Sequence, residues 1–119
     1  MNTRKVGTDG EMLAAAFLEK QGVSIVERNY RNRSGEIDLI GRDGEYLVFI
    51  EVKYRRNPGM GFPEESVGIA KQRQICRVAD HYRMVRKLSW QTALRYDVIA
   101  IEGEQIRWTK NAFPHHYRR

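Results

Sequence analysis

Three acids and a lysine crowd one stretch of this sequence: Glu36, Asp38, Glu51 and Lys53. Carboxylates that converge can hold a divalent cation, and a neighbouring lysine can orient water, help deprotonate it or steady negative charge. Phosphodiester hydrolysis needs that combination, because it requires an activated water, a neutralised phosphate and a stabilised leaving oxygen. Mg²⁺ suits such a site. It takes few carboxylates and keeps its other positions for water and phosphate oxygens.

The elements that must position these groups read as a β-hairpin. Gly35-Glu36-Ile37-Asp38-Leu39-Ile40 and Tyr46-Leu47-Val48-Phe49-Ile50-Glu51-Val52-Lys53 flank Asp43-Gly44, a strong hairpin signal. With Asp43 and Gly44 as the turn residues, Arg42 pairs with Glu45, Asp38 with Phe49 and Glu36 with Glu51. Alternation then puts Glu36, Asp38, Glu51 and Lys53 on one face, and Ile37, Leu39, Tyr46, Val48, Ile50 and Val52 on the other. Asp38 and Glu51 stand diagonally, about 7–8 Å apart at the backbone, close enough for both side chains to meet one ion. The same spacing also describes a solvated outer face carrying a Glu-Lys pair. A one-residue bulge would move one strand's charges to the opposite face.

The order Gly-Glu-Ile-Asp-Leu-Ile, turn, Val-Phe-Ile-Glu-Val-Lys closely resembles the UPF0102 (YraN-like) family, whose fold is similar to the PD-(D/E)xK nucleases, in particular archaeal Holliday-junction resolvases. Weaker signals follow in the same order: Gly10-Glu11 opening a helix, Arg28-Asn29-Tyr30-Arg31, Lys71-Gln72-Arg73 and Arg95-Tyr96-Asp97-Val98-Ile99. The proline that names the nuclease motif is absent, Ile37 standing before Asp38. The resemblance implies that Asp38, Glu51 and the Val52 carbonyl ligate Mg²⁺ or Mn²⁺, with Glu11 an auxiliary acid. It also implies that Lys53 assists the attacking water, with Gln72 and Lys71 approaching the site or the scissile strand. A two-fold homodimer would follow too, since a junction presents two symmetric strands.

Charge distribution points the same way. The 119 residues carry a formal net charge of +6, which favours an anionic partner. Lys71, Arg73, Arg77, Arg83, Arg86 and Lys87 lie between Ala70 and Lys87 against one acid, Asp80. Arg28, Arg31 and Arg33 precede the acidic hairpin, and Arg55 and Arg56 follow it. A basic rim around an acidic centre would draw in a phosphate backbone while the centre holds cations. Arg31, Arg33, Arg55, Arg56, Lys71, Arg73 and Arg77 are therefore the candidate nucleic-acid contacts.

Length suits a single domain spanning 1–119. No apolar run approaches the ~18 residues of a membrane span, and the N-terminus lacks a signal-peptide stretch. The lone Cys76 excludes an internal disulfide, fits a reducing, cytoplasmic compartment, and reads as a packed thiol. His115-His116 read as an exposed tail.

A helix is expected over 9–21, with Leu13, Ala16, Phe17 and Leu18 as its apolar stripe and Thr8 to Glu11 as a capping box. That box offers Glu11 a purely structural task beside the metal-site one. Gly22 should end this helix. Strands follow over 23–31 and through the hairpin. The segment 55–65, with Asn57-Pro58-Gly59, reads as a loop carrying Met60 and Phe62. A second helix is expected over 66–87, its stripe Ile75, Val78, Ala79, Tyr82 and Val85. Strands over 94–101 and 105–109 close the chain, Asp97 being read as structural beside Arg95. The order gives an α/β fold, a mixed central sheet flanked by helices and, through the resemblance, restriction-endonuclease-like.

The leading expectation is a Mg²⁺- or Mn²⁺-dependent endonuclease acting on DNA, branched or damaged. Beside it stand a non-catalytic nucleic-acid-binding module on the same fold, and an assembly protein whose basic helix docks an acidic partner.

Overall fold

The computed structural model describes residues 3–55 and 67–117, with side chains from residue 9 onward. Its elements run α1 (Thr3–Lys20), β1 (Ser24–Asn32), β2 (Gly35–Asp43), β3 (Tyr46–Arg55), α2 (Ile69–Val85), β4 (Leu94–Glu102) and β5 (Gln105–Thr109). The five strands form one sheet in the order β1-β2-β3-β4-β5. All neighbours are antiparallel except β3 and β4, which run parallel with α2 in the crossover between them. The fold is α/β with a mixed sheet, as expected, and is consistent with a restriction-endonuclease-like arrangement. The loop expected over 55–65, with Arg56, Met60 and Phe62, lies outside the described residues apart from Arg55, which ends β3.

Each face of the sheet carries one helix. Alternate residues of β3 and β4 explain why: Leu47, Phe49, Tyr96 and Val98 pack with Ile75, Val78, Ala79 and Tyr82 of α2. Val48, Ile50, Ile99 and Ile101 pack with Ala14, Ala15 and Leu18 of α1. Both strands are therefore apolar on both faces, the signature of a sheet buried on two sides. Burying each such side chain stabilises the fold by about 1.5–3 kcal/mol.

α1 differs from its expected form. It starts at Thr3, so Thr8 falls inside the helix and no capping box is made there. The inward stripe is Glu11, Ala14, Ala15 and Leu18, at i, i+3, i+4 and i+7, whereas Leu13 and Ala16 are exposed. Small residues on this stripe let the helix approach closely. A Cβ on Gly10 would stand 2.8 Å from the Tyr54 Cβ on β3. The helix ends as Gly22 suggested, in a Schellman motif: Val23 N–H donates to the Leu18 carbonyl at 3.0 Å and Gly22 N–H to Glu19 at 3.1 Å.

The β2–β3 hairpin forms, but two residues out of the expected register. Asp43 pairs with Tyr46 and Ile40 with Phe49, so the central turn residues are Gly44 and Glu45. Gly44 has φ 60, the positive φ that a type II′ turn assigns to glycine at its first central position. Asp43 stays in the strand, where Arg95 of β4 bonds its carboxylate at 2.8 Å. A shift of two preserves which residues share a face; a second departure does not. Ile37 and Ile40, three apart, both pack on the α2 side, while Leu39 packs on the α1 side. The alternation slips once in this stretch, so Ile37 leaves the face predicted for it.

On α2 the expected stripe holds except that Val85 is exposed, and Cys76 and Arg83 are buried beside it. Cys76 is thus a packed thiol, as expected.

Candidate functional site

β2 and β3 stop pairing at Leu39 and Ile50, although both strands continue. The next position of that register sets Asp38 opposite Glu51, a closer placement than the predicted diagonal. There the Asp38 side chain replaces a backbone acceptor: its Oδ2 receives the Val52 N–H at 2.7 Å. The strands part and one carboxylate bridges the opening.

Glu51 joins it. Its side chain is only 16% exposed, so the solvated-face reading of this strand fails. The Asp38 and Glu51 carboxyls lie within hydrogen-bonding reach of each other. Burial, then the Asp38 charge, pushes Glu51 up to about 8. Burial also raises Asp38, opposed by the Val52 N–H, Glu51 and Lys71. From α1, Glu11 enters the same field. Burial and the Asp38 charge raise it to about 7, while the Asn29 side chain pulls it down. Glu36 adds further negative potential to both Asp38 and Glu11. The cluster is therefore an acidic centre whose protons are held by burial first and by mutual repulsion second.

Cations lie at its border. Lys71 of α2 brings its Nζ to 3.9 Å from Glu51 Oε2. Lys53 lowers the Glu51 carboxyl electrostatically, an effect smaller than that of Lys71.

The donor set fits a hard divalent ion. All its donors are oxygens, and Glu11 Oε2 is buried with no hydrogen-bond partner among the described residues. Among the described residues no three His, Cys, Asp or Glu side chains gather closely enough to hold an ion by themselves. Two carboxylates match Mg²⁺, which keeps most of its positions for water, better than an all-protein cage would.

The remaining candidates are placed as follows. Gln72 turns its amide to the Val67 carbonyl at 2.6 Å and to His116 Nε2 at 2.8 Å. Arg31 is exposed and pairs with Glu36 at 2.8 Å. Arg33 lines two adjoining cavities, one of them with Lys71 and Glu36 and the other with Arg77. Arg73 and Arg77 are exposed on α2, and Arg55 ends β3 with its carbonyl bonded to Gly103 N–H at 3.1 Å. Arg56 lies outside the described residues. Asp97 is structural, as read: it is 1% exposed and bonds Arg95, Trp108 Nε1 and Asn111 N–H.

His115-His116 are not an exposed tail. His115 stacks on Tyr96, bonds its hydroxyl through Nδ1 at 2.6 Å, and reaches Asp80 at 3.3 Å. The segment is pinned by Phe113 stacked on Tyr96, a contact that no local spacing signals. Asn29 was also missed. It sits at φ 53 beside Glu11, and a polar residue in the left-handed region within a strand is the kind of outlier that accompanies functional sites.

The family model described as "Uncharacterised protein family UPF0102" matches residues 10–101, the span from Gly10 in α1 to Ile101 in β4. The chain belongs to UPF0102. A UPF0102 protein of Lachnoclostridium phytofermentans is 49% identical over 113 residues, covering 95% of this chain and 96% of the relative. One of Nitrosospira multiformis is 42% identical over 120 residues, covering 98% and 99%. One of Syntrophus aciditrophicus is 44% identical over 119 residues, covering 97% and 93%. The UPF0102 relatives therefore match the chain almost end to end, with the acidic hairpin inside the matched span.

Proposed function

We propose that this UPF0102 protein is a cytoplasmic, metal-dependent endonuclease that hydrolyses phosphodiester bonds in nucleic acid, with DNA favoured and branched or damaged DNA the expected form. One observation carries the reading: Asp38 and Glu51 meet where β2 and β3 part, with Lys71 3.9 Å from Glu51. Asp38, Glu51 and the Val52 carbonyl would hold Mg²⁺ or Mn²⁺, with Glu11 in support. The bound ion would supply charge neutralisation at the phosphate and a more acidic water.

The chain's own groups divide the rest. The Val52 N–H fixes the Asp38 carboxylate, so its orientation does not depend on a flexible rotamer. Lys53, beside Glu51, orients the attacking water and offsets charge gathering on the phosphate. Lys71, 3.9 Å from Glu51 Oε2, meets the strand's phosphates as they arrive. Gln72, held by Val67 and His116, fixes the first turn of α2 and so the reach of Lys71. In a homodimer two such sites would face the two symmetric strands of a junction.

Calorimetric titration of Mn²⁺ and Mg²⁺ into wild type and Asp38→Ala tests the reading, followed by cleavage assays on single-stranded, duplex and branched DNA and on RNA. Binding lost in the variant and cleavage by the wild type are expected. No cleavage of any form with either metal, and metal affinity unchanged by the substitution, would reject it. Salt-dependent binding without cleavage, unchanged in Lys53→Ala, would instead mark a non-catalytic nucleic-acid-binding module.

A further inference from the structure

A cavity of about 270 Å³ lies between the β1–β2 turn and the far half of α2, lined by Arg33, Arg77, His81, Met84 and Trp90. It adjoins an open groove of about 380 Å³ through Arg33 and Ser34, and that groove is lined in turn by Arg31, Lys71 and Glu36, the last paired with Arg31 at 2.8 Å. Lys71 is the residue that touches Glu51. A basic path therefore leads from the acidic centre across Lys71, Arg31 and Arg33 to Arg77 and Trp90.

The far end of this path is built. Trp90 is 68% exposed, its indole open to solvent beside the cavity. It is nonetheless held in place: Arg83, itself 4% exposed, sets its guanidinium 4.4 Å from the ring centroid and donates to the Trp90 carbonyl at 3.3 Å. His81 lines the cavity too, and its Nδ1 is buried with no hydrogen-bond partner among the described residues. Asp80, the one acid among the described lining residues, is offset by Arg83 at 3.5 Å. A fixed exposed indole and two arginines match a nucleobase and its flanking phosphates. The volume falls below the ~300 Å³ at which pockets for drug-sized ligands begin, which suits one base rather than a larger cofactor.

We infer that this cavity receives an unpaired nucleobase, stacked on Trp90, from a strand whose phosphates cross Arg33 and Arg31 toward Lys71 and the acidic centre. The inference rests on the nucleic-acid reading above and extends it to a preference for substrates with an unstacked or single-stranded segment beside the cleaved bond. A paired base cannot enter, because its face is covered by its neighbours in the duplex.

Binding measured in chelator separates this pocket from metal chemistry. The probes are a labelled oligothymidylate and a duplex of equal length, read by fluorescence anisotropy. Trp90→Ala should weaken single-strand binding roughly 5- to 150-fold and leave duplex binding unchanged. Trp90→Phe should recover most of the loss. Circular dichroism of the variants should match wild type, since the ring is exposed. Single-strand affinity unchanged in Trp90→Ala, or an equal loss for duplex, would overturn the base pocket. Trp90-dependent single-strand binding by a protein that cleaves nothing would leave the pocket standing and reject hydrolysis. Cleavage unaffected by Trp90→Ala, with unchanged affinity, would reject the pocket alone.

Discussion

The Asp38 carboxylate accepts the Val52 N–H at 2.7 Å just where the backbone ladder between β2 and β3 has ended. One side chain thus does two things, closing an open strand pair and presenting an acid. Asp38→Asn keeps an oxygen for the N–H and should fold with little loss. Asp38→Ala leaves the partly buried N–H without its acceptor and should cost about 1–3 kcal/mol in urea unfolding. Both should lose Mn²⁺ binding by calorimetry. Equal stability of the two variants would mean that the bond contributes nothing to the fold.

Gly10 sets the distance of Glu11 from the site. Its replacement by alanine would bring a Cβ to 2.8 Å from the Tyr54 Cβ, and both are fixed on their elements. Overpacking of this kind costs about 1–3 kcal/mol. Gly10→Ala should lower the melting temperature and displace α1, weakening metal affinity as Glu11→Gln would. A variant with wild-type melting would show that α1 yields freely at this point.

Asp97 should matter to stability rather than to metal binding. It is fully buried and takes bonds from Arg95, Trp108 and Asn111, tying β4 to β5 and to Asp43 through Arg95. Asp97→Ala leaves Arg95 with one carboxylate fewer and two further donors unpaired, so a loss of about 3–5 kcal/mol is expected in denaturant unfolding. A loss below about 1 kcal/mol would show that the network is dispensable.

Acidity at the centre couples to folding. Burial and the Asp38 charge push Glu51 up to about 8 and Glu11 up to about 7, from an ordinary 4.5 for each. The folded chain therefore binds more protons than the unfolded chain between those values. Their contribution to stability is complete below pH 4.5 and is lost as pH rises through 7 and 8. Thermal melts in chelator should fall from pH 5 to pH 9, and saturating Mn²⁺ should flatten the decline by favouring the ionised acids. A metal-free melting temperature independent of pH would contradict it.

Lys71 lowers both Asp38 and Glu51. Lys71→Ala should shift the pH midpoint of Mn²⁺ affinity upward, because the acids then surrender their protons less readily. The measure is the affinity profile between pH 6 and 9. An unmoved midpoint would place Lys71 outside the working site.

Local pattern alone determined much of this protein. Alternating apolar residues gave the strands, Asp43-Gly44 marked the hairpin, and Gly22 marked the end of α1. Side-chain period is a property of the chain, so it survives without knowledge of the fold. The pair Asp38 and Glu51 was legible because a two-residue shift in register only moves Asp38 from the diagonal to the position opposite Glu51. Tertiary packing decided the rest. The slip that sends Ile37 and Ile40 to the same side depends on which helix covers which face. The phase of α1 follows from how closely a glycine lets it approach Tyr54. His116 meets Gln72 across 44 residues, and Lys71 meets Glu51 across the crossover, by contacts that no local spacing encodes. Burial raised the acids, and burial exists only once both helices have closed over the sheet.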